Sequence, residues 1–240
     1  MAVTGWAVTG SGELSPSDAS TADALFDGRV LLRQPARGGG YRVNADALLL
    51  AEFARGRAAA ATAFDLGAGV GSVGLSLLYL RAARRVVFVE IDATAASLAE
   101  RNLRDNGWAD AGEVVRGDVG DVARDRRGEA QLVVCNPPYV EPGRGRLAQN
   151  AARAKARSGQ LATFVAAARG VAGRRARVCF VYPAAELATL FATLRASGLE
   201  PKRMRAVQAT SSGPARVVLV EAQPAKAGGL VVMSPLVERT

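Results

Sequence analysis

Apolar residues along this chain gather into short runs, most of them closed by a glycine, an acid or an asparagine, with longer mixed stretches between. Ala63 to Gly67, Val86 to Asp92, Glu113 to Asp118, Gln131 to Asn136 and Arg177 to Pro183 are too short for helices and read as buried strands. Helical spacing occupies the stretches between them. Thr94 to Asn106 ends in Gly107-Trp108, where glycine suits the left-handed position after a helix and tryptophan can fold back on Leu103. Ala184 to Ser197 presents Leu187, Leu190, Phe191 and Leu194 as one stripe before Gly198. This alternation predicts a mostly parallel sheet covered by helices on both faces. Lys202 to Gln208 and Arg216 to Ala222, joined through Ser211-Ser212-Gly213-Pro214, add a closing antiparallel hairpin.

The beginning of the chain follows other rules. Residues 1–27 lack periodicity and are expected to be a loosely ordered leader. Val30-Leu31-Leu32 and Tyr41-Arg42-Val43 suggest a hairpin around Pro35 and Gly38-Gly39-Gly40, and Asn44 is placed to cap a helix running to about Arg55. The expected organisation is therefore one domain over 28–240: a hairpin and helix over 28–58, then an α/β core over 59–240.

Composition narrows the chemistry. There is no histidine, which removes imidazole bases, Ser-His-Asp triads and histidine metal sites. Cys135 and Cys179 each sit in an apolar run, as small buried hydrophobes would, so neither a disulfide framework nor a metal site is expected. No stretch of 18 apolar residues occurs and the start lacks a basic signal, so a soluble cytoplasmic protein is expected. The net charge of +9 is uneven: residues 1–27 hold four acids and no base, leaving 31 basic against 18 acidic residues beyond them. Such a balance favours a polyanionic partner, although arginine outnumbers lysine 28 to 3, as a coding bias would also produce.

The strand ends carry the most specific signals. Asp65-Leu66-Gly67-Ala68-Gly69-Val70-Gly71 stands where a first strand turns into a helix, the usual nucleotide corner of a parallel sheet. Gly69 to Gly74 also satisfies the dinucleotide fingerprint, with Glu90 about twenty residues on, so a nicotinamide cofactor competes with S-adenosylmethionine. Asp65 favours the latter, because an acid there repels a pyrophosphate and suits an ammonium group. Glu90 can accept ribose hydroxyls, and Asp118 an adenine amine. The fourth strand stops in Asn136-Pro137-Pro138-Tyr139, where two locked prolines hold an amide, a free carbonyl and an aromatic ring within four residues. Those groups make a socket for a planar group bearing an amine. A strand ending in a proline turn with a packing tyrosine is the plainer explanation, and the flanking Asn136 and Tyr139 weigh against it.

These residues resemble the class I methyltransferases, and more closely the bacterial tRNA adenine-N6 methyltransferase family, whose best-known member modifies the anticodon loop of valine tRNA. The resemblance runs through Gly40 to Leu50, the glycine loop, Asn102 with Asn106-Gly107, Asn136 to Tyr139, Ala156-Arg157, Glu200 to Arg205 and Pro235-Leu236. It departs from the family after Arg157, where Ser158-Gly159 replaces a polar pair that includes histidine. The resemblance implies a Rossmann-like seven-stranded, mostly parallel sheet with helices on both faces and an antiparallel last strand. It also implies S-adenosylmethionine held by Asp46, Asp65, Gly67, Gly69, Glu90, Ile91, Asp118, Val119 and Asn136. Asn136, Pro137, Pro138 and Tyr139 are then the catalytic set acting on an RNA adenine, and the expected partner is tRNA.

The segment after Tyr139, read as a loop, holds Arg144, Arg146, Arg153, Lys155 and Arg157 against the single acid Glu141. Arg153, Lys155 and Arg157 are candidate contacts to substrate phosphates, with Lys202, Arg203 and Arg205 extending the surface. A protein glutamine methyltransferase acting on release factors is the alternative, since an amide offers the same N–H geometry. Its relatives carry a helical domain before the glycine loop, for which the 64 residues ahead of Asp65 are expected to be too few. Guanine-N2 methylation of ribosomal RNA ranks third. A silent RNA-binding module would show erosion of the acids or of Asn-Pro-Pro-Tyr, and neither is eroded.

Overall fold

The computed structural model describes residues 20–35, 45–137, 147–225 and 227–238, with side chains from 159 onward in the third segment. Strands β1 (Ser20–Leu25) and β2 (Val30–Pro35) form an antiparallel hairpin, followed by helix α1 (Ala45–Ala54). The core then alternates: β3 (Ala60–Leu66), α2 (Ser72–Tyr79), β4 (Ala83–Glu90), α3 (Ala93–Asp105), β5 (Gly112–Arg116), α4 (Val119–Asp125) and β6 (Ala130–Cys135). Helix α5 (Leu147–Val171), β7 (Ala172–Pro183), α6 (Leu187–Ala196), β8 (Glu200–Gln208), β9 (Ala215–Gln223) and β10 (Val231–Val237) complete it.

Eight of these strands form one sheet in the order β10-β8-β9-β7-β6-β3-β4-β5. All neighbouring pairs are parallel except those of β9, which runs antiparallel to β7 and β8. The seven expected strands are β3 to β9, with β9 the reversed one. The count of seven is corrected by β10, which adds parallel to β8 at the edge. Pro235 hides it in the sequence: proline is tolerated on an edge strand, and the register shift between Met233 and Leu236 passes it without a ladder bond.

Buried strands need apolar residues on both faces, and alternation divides them. Phe88, Leu132, Val134 and Val181 face the cluster built with α1, α2 and the β1–β2 hairpin. Val87, Val89, Val133 and Phe180 face the cluster built with α4, α5 and α6. Helix α1 is buried along almost its whole surface, so its last carbonyls must be satisfied inside the protein. Two arginines do this. Arg177 donates to the Ala54 carbonyl at 2.8 Å and Arg203 to that of Phe53 at 2.7 Å. Glu221, buried on β9, pairs with both at 3.4 and 2.8 Å. Arg203 also lies over the Phe53 ring, 4.3 Å from its centre. Arg203 thus ties the core to α1 and is corrected from the expected RNA surface.

Two asparagines fix the hairpin. Asn102 accepts from Arg33 N–H at 2.7 Å and donates to the Arg33 carbonyl at 3.0 Å, and Asn106 does the same for Leu31 at 2.8 Å each. Residues one helical turn apart, one on α3 and one capping its end, thereby pair with alternate residues of β2, as a neighbouring strand would. The second amide proton of Asn102 reaches the Val70 carbonyl at 2.9 Å and ties the glycine loop to the hairpin. Because Asn102 is fully buried, Asn102→Ala leaves three backbone groups unpaired and is expected to cost about 3 kcal/mol in urea unfolding.

Three expectations change here. Ser20–Leu25 is strand β1 rather than leader, because Leu25 buries with Val30 and Leu32. The partner of β2 is β1 and not Tyr41-Arg42-Val43, which lies outside the described residues. The segment read as a loop is helical from Leu147, so Arg153, Lys155 and Arg157 stand on α5, their side chains outside the described set. As expected, α3 ends with Gly107 at φ 72°, its N–H on the Arg104 carbonyl and that of Trp108 on Leu103.

Candidate active site

A cavity of about 600 Å³ opens at the carboxyl ends of β3, β4, β5 and β6, where the strand order reverses on either side of β3. Its described wall includes Gly67, Gly69, Glu90, Ile91, Asp118, Val119 and Asn136, seven of the sequence-derived candidates. They arrive at the ends of four neighbouring strands, which is why residues so far apart in sequence converge.

The glycine loop gives the cavity its floor. Gly67, at φ 71°, would put a side chain 2.8 Å from the Phe164 ring, so any larger residue fails on both conformation and space. Gly74 lets α2 settle against Phe88, whose ring would lie 2.2 Å from an added Cβ. Glu90 organises the loop: its Oε2 accepts from Gly69 N–H at 2.7 Å and its Oε1 from Asp92 N–H at 2.8 Å. Each oxygen keeps acceptor capacity for a hydroxyl in the cavity. Beside it Ile91 is 67% exposed and lines the cavity, where it offers apolar surface to a flat group. Asp118 caps α4 through Gly120 N–H at 2.8 Å while remaining exposed at the rim.

Two candidates are elsewhere. Asp65 is buried beneath the loop, where its Oδ2 accepts from Gly74 N–H at 2.8 Å, and it is outside the described cavity wall. Burial pushes its carboxyl up to about 7; the Gly74 bond opposes this and the Glu90 charge adds to it. Asp46 is also outside the described wall: it is buried at the start of α1, with its Oδ1 2.7 Å from Arg216, which also holds Glu238 at 2.7 Å. Through Arg216 it fixes α1 against β9.

Asn136 ends β6 with its Oδ1 buried and accepting no hydrogen bond from any described residue. Pro137 behind it is buried. Pro138 and Tyr139 lie outside the described residues. Burial pushes the Cys135 thiol well above its usual range, which keeps it neutral. The sequence reading missed Pro35 from β2 and Gln160, Thr163 and Phe164 from α5, all in the cavity wall. Nothing local marks them, since α5 is covered by its own core stripe and only its docking brings Phe164 over Gly67. The described residues hold no cluster of histidine, cysteine or acids that could ligate a metal.

A reversed strand beside a parallel sheet, with a glycine loop and strand-end acids around one cavity, is the fold of class I methyltransferases. Solved structures agree. A predicted O-methyltransferase from Agrobacterium tumefaciens matches with a TM-score of 0.63 at 22% identity, over 80% of this chain and 86% of that one. TYW2 of M. jannaschii in complex with AdoMet matches with a TM-score of 0.58 at 13% identity, over 87% of both. The family model described as methyltransferase small domain matches residues 43–172, more than half of the chain, and the chain belongs to that family.

Among curated proteins, the tRNA1(Val) (adenine(37)-N6)-methyltransferase of Shewanella frigidimarina is 33% identical over 135 residues, 52% of this chain and 51% of that protein. Its namesake from Shewanella amazonensis is 36% identical over 124 residues, half of each. The chain spans about half the length of the curated relatives it matches.

Proposed function

We propose that this protein is a cytoplasmic methyltransferase that uses S-adenosylmethionine to methylate the N6 amine of an adenine in tRNA. The observation that carries the reading is the buried, unpaired Oδ1 of Asn136 at the end of β6, beside a cavity of cofactor size. An unpaired buried acceptor costs about 1–3 kcal/mol, which a ligand amine returns by donating to it. The curated relatives' names point to the same substrate. Among the described residues no helix is long and apolar enough to cross a membrane.

The residues present suit the cofactor. Glu90 has acceptor capacity for two ribose hydroxyls, exposed Ile91 and buried Val119 flank a slot for a flat ring, and Asp118 stands where an exocyclic amine can donate. Gly67, Gly69 and Gly71, all at positive φ, let a ligand approach the backbone closely at those three positions. S-adenosylmethionine supplies an electrophilic methyl group there. Glu90→Ala removes both the hydroxyl acceptor and the anchor of Gly69. It is expected to weaken S-adenosylmethionine binding at least tenfold, about 1.4 kcal/mol, in calorimetry.

An adenine amine is a weak nucleophile because its lone pair is delocalised into the ring. The chain has no histidine to activate it and Cys135 is held neutral, so positioning must provide the rate. Asn136 Oδ1 and the Pro137 carbonyl accept the two amine N–H groups, and as positive charge develops on nitrogen these fixed acceptors meet it. Alignment of this kind is worth roughly 7–11 kcal/mol. Tyr139 is assigned to stack on the base, and Arg153, Lys155 and Arg157 to hold the flanking phosphates. An unpaired loop presents such a base at lower cost than a duplex. The direct assay offers methyl-labelled S-adenosylmethionine with unmodified tRNA and, separately, with release factor. Label in tRNA is expected, and label only in release factor would move the assignment to the glutamine amide.

A further inference from the structure

The end of the sheet opposite the cavity carries a second feature. Arg57 precedes β3, Arg81 and Arg84 open β4, Arg127 precedes β6, and Arg174 and Arg175 open β7. Parallel pairing places these four strands side by side in the order β4-β3-β6-β7 and gathers their starts on one rim. At ~4.8 Å per strand the rim is about 15 Å wide. All six arginines are exposed, and none forms an ion pair with a described residue. By contrast Arg85 and Arg126 on the same rim are held by Glu113.

The ladder itself presents two of them. Between β6 and β7 the register jumps from Ala130↔Ala172 to Leu132↔Arg177, so Arg174 and Arg175 lie in an irregularity that leaves the ladder. Arg174 and Arg169 also line a cleft of about 450 Å³ beside it. The described part of the cavity rim carries more acid than base, with Glu90, Asp92, Asp118 and Glu186 at or just beyond the strand ends against Arg116 at the end of β5. A coding bias toward arginine explains the residue type. It does not explain why six unpaired arginines gather on a rim whose acids Glu113 and Glu129 are already held by Arg85 and Arg126.

We propose that this arginine rim is a second docking surface for the phosphate backbone of the RNA whose adenine enters the cavity, an inference that rests on the function proposed above. Strands β6, β3 and β4, of six to eight residues, separate the two rims by roughly 20–26 Å. A polynucleotide advancing roughly 3 Å per nucleotide covers that distance in about eight nucleotides, so an RNA larger than a hairpin loop reaches both. The rim supplies sequence-independent attraction, and the cavity selects the base.

The test compares the full chain with its Arg57→Gln, Arg84→Gln, Arg175→Gln variant. The probes are unmodified full-length tRNA and a short anticodon stem-loop, with binding followed against salt. For full-length tRNA the variant is expected to bind about tenfold more weakly and to lose roughly 2 from the slope of log affinity against log salt. Its melting temperature and S-adenosylmethionine affinity stay unchanged, and methylation of the stem-loop falls less than that of tRNA. Unchanged affinity and slope for full-length tRNA in the variant, beside salt-dependent binding by the parent, overturn the rim alone. Absence of RNA binding by the parent chain overturns the proposed function as well. Charge-dependent binding to phosphatidylserine vesicles without any binding to tRNA reassigns the rim to a membrane surface and also overturns it.

Discussion

Asn136→Ala is expected to lower methyl transfer to tRNA by roughly 10²–10³, the range for removing one preorganised hydrogen-bonding partner of a developing charge. Cofactor affinity should change little. The side chain reaches the end of β6 with a buried oxygen that no described residue satisfies, so its removal takes an acceptor from no described residue and one from the substrate. Asn136→Asp is informative beside it: the carboxylate keeps an acceptor but adds charge in a buried position, and is expected to retain more activity than alanine only at high pH. Single-turnover rates with saturating S-adenosylmethionine measure both. An equal loss of cofactor affinity and rate in Asn136→Ala would make the residue a wall of the cofactor pocket instead.

The second large effect belongs to Asp65. Its folded-state value of about 7 lies above the ordinary 3.8, so folding takes up a proton between those limits. Stability from this group is fully present below about pH 4 and is lost as pH rises through about 7. The difference amounts to roughly 4 kcal/mol, because each pKa unit is worth about 1.4. Asp65→Asn keeps an acceptor for the Gly74 N–H without the charge. Relative to this variant, the parent chain should lose about that much stability between pH 4 and pH 8 in urea unfolding. An ionised Asp65 beneath the loop also attracts a cation, so affinity of the parent for S-adenosylmethionine is expected to rise as pH passes 7, and that of Asp65→Asn to stay flat. Parallel stability curves for the two proteins would contradict the burial argument. Flat affinity in both would leave Asp65 a role in packing α2 only.

The parts of this account that could be seen in the sequence are those where one local rule fixes the outcome. Glycines with positive φ after an apolar strand announced the loop from Gly67 to Gly71, and Gly107 with Trp108 announced the end of α3. The proline pair after Asn136 announced the end of β6 at Cys135. Legibility failed where a distant partner decides. Asp46 has the same local appearance as any acid near a helix start, and only the fold brings Arg216 to it from β9. Arg203 has the appearance of a surface cation and instead satisfies the end of a buried helix. Phe164 is one apolar residue in a core-facing stripe until α5 packs across Gly67. Strand β1 was missed because Ser20 to Leu25 carries polar residues through an edge hairpin, and β10 because Pro235 interrupts it. Asn102 and Asn106 were legible as a motif; their work as a substitute strand for β2 was not.

The central claim is that Asn136 and its cavity methylate an adenine amine in tRNA, and nucleoside mass spectrometry of bulk tRNA from a host strain lacking this chain tests it most directly. The account predicts that N6-methyladenosine disappears from tRNA in that strain, returns with the intact chain and does not return with Asn136→Ala. Unchanged N6-methyladenosine in the deleted strain, with a methyl group missing from a release-factor glutamine instead, would contradict it.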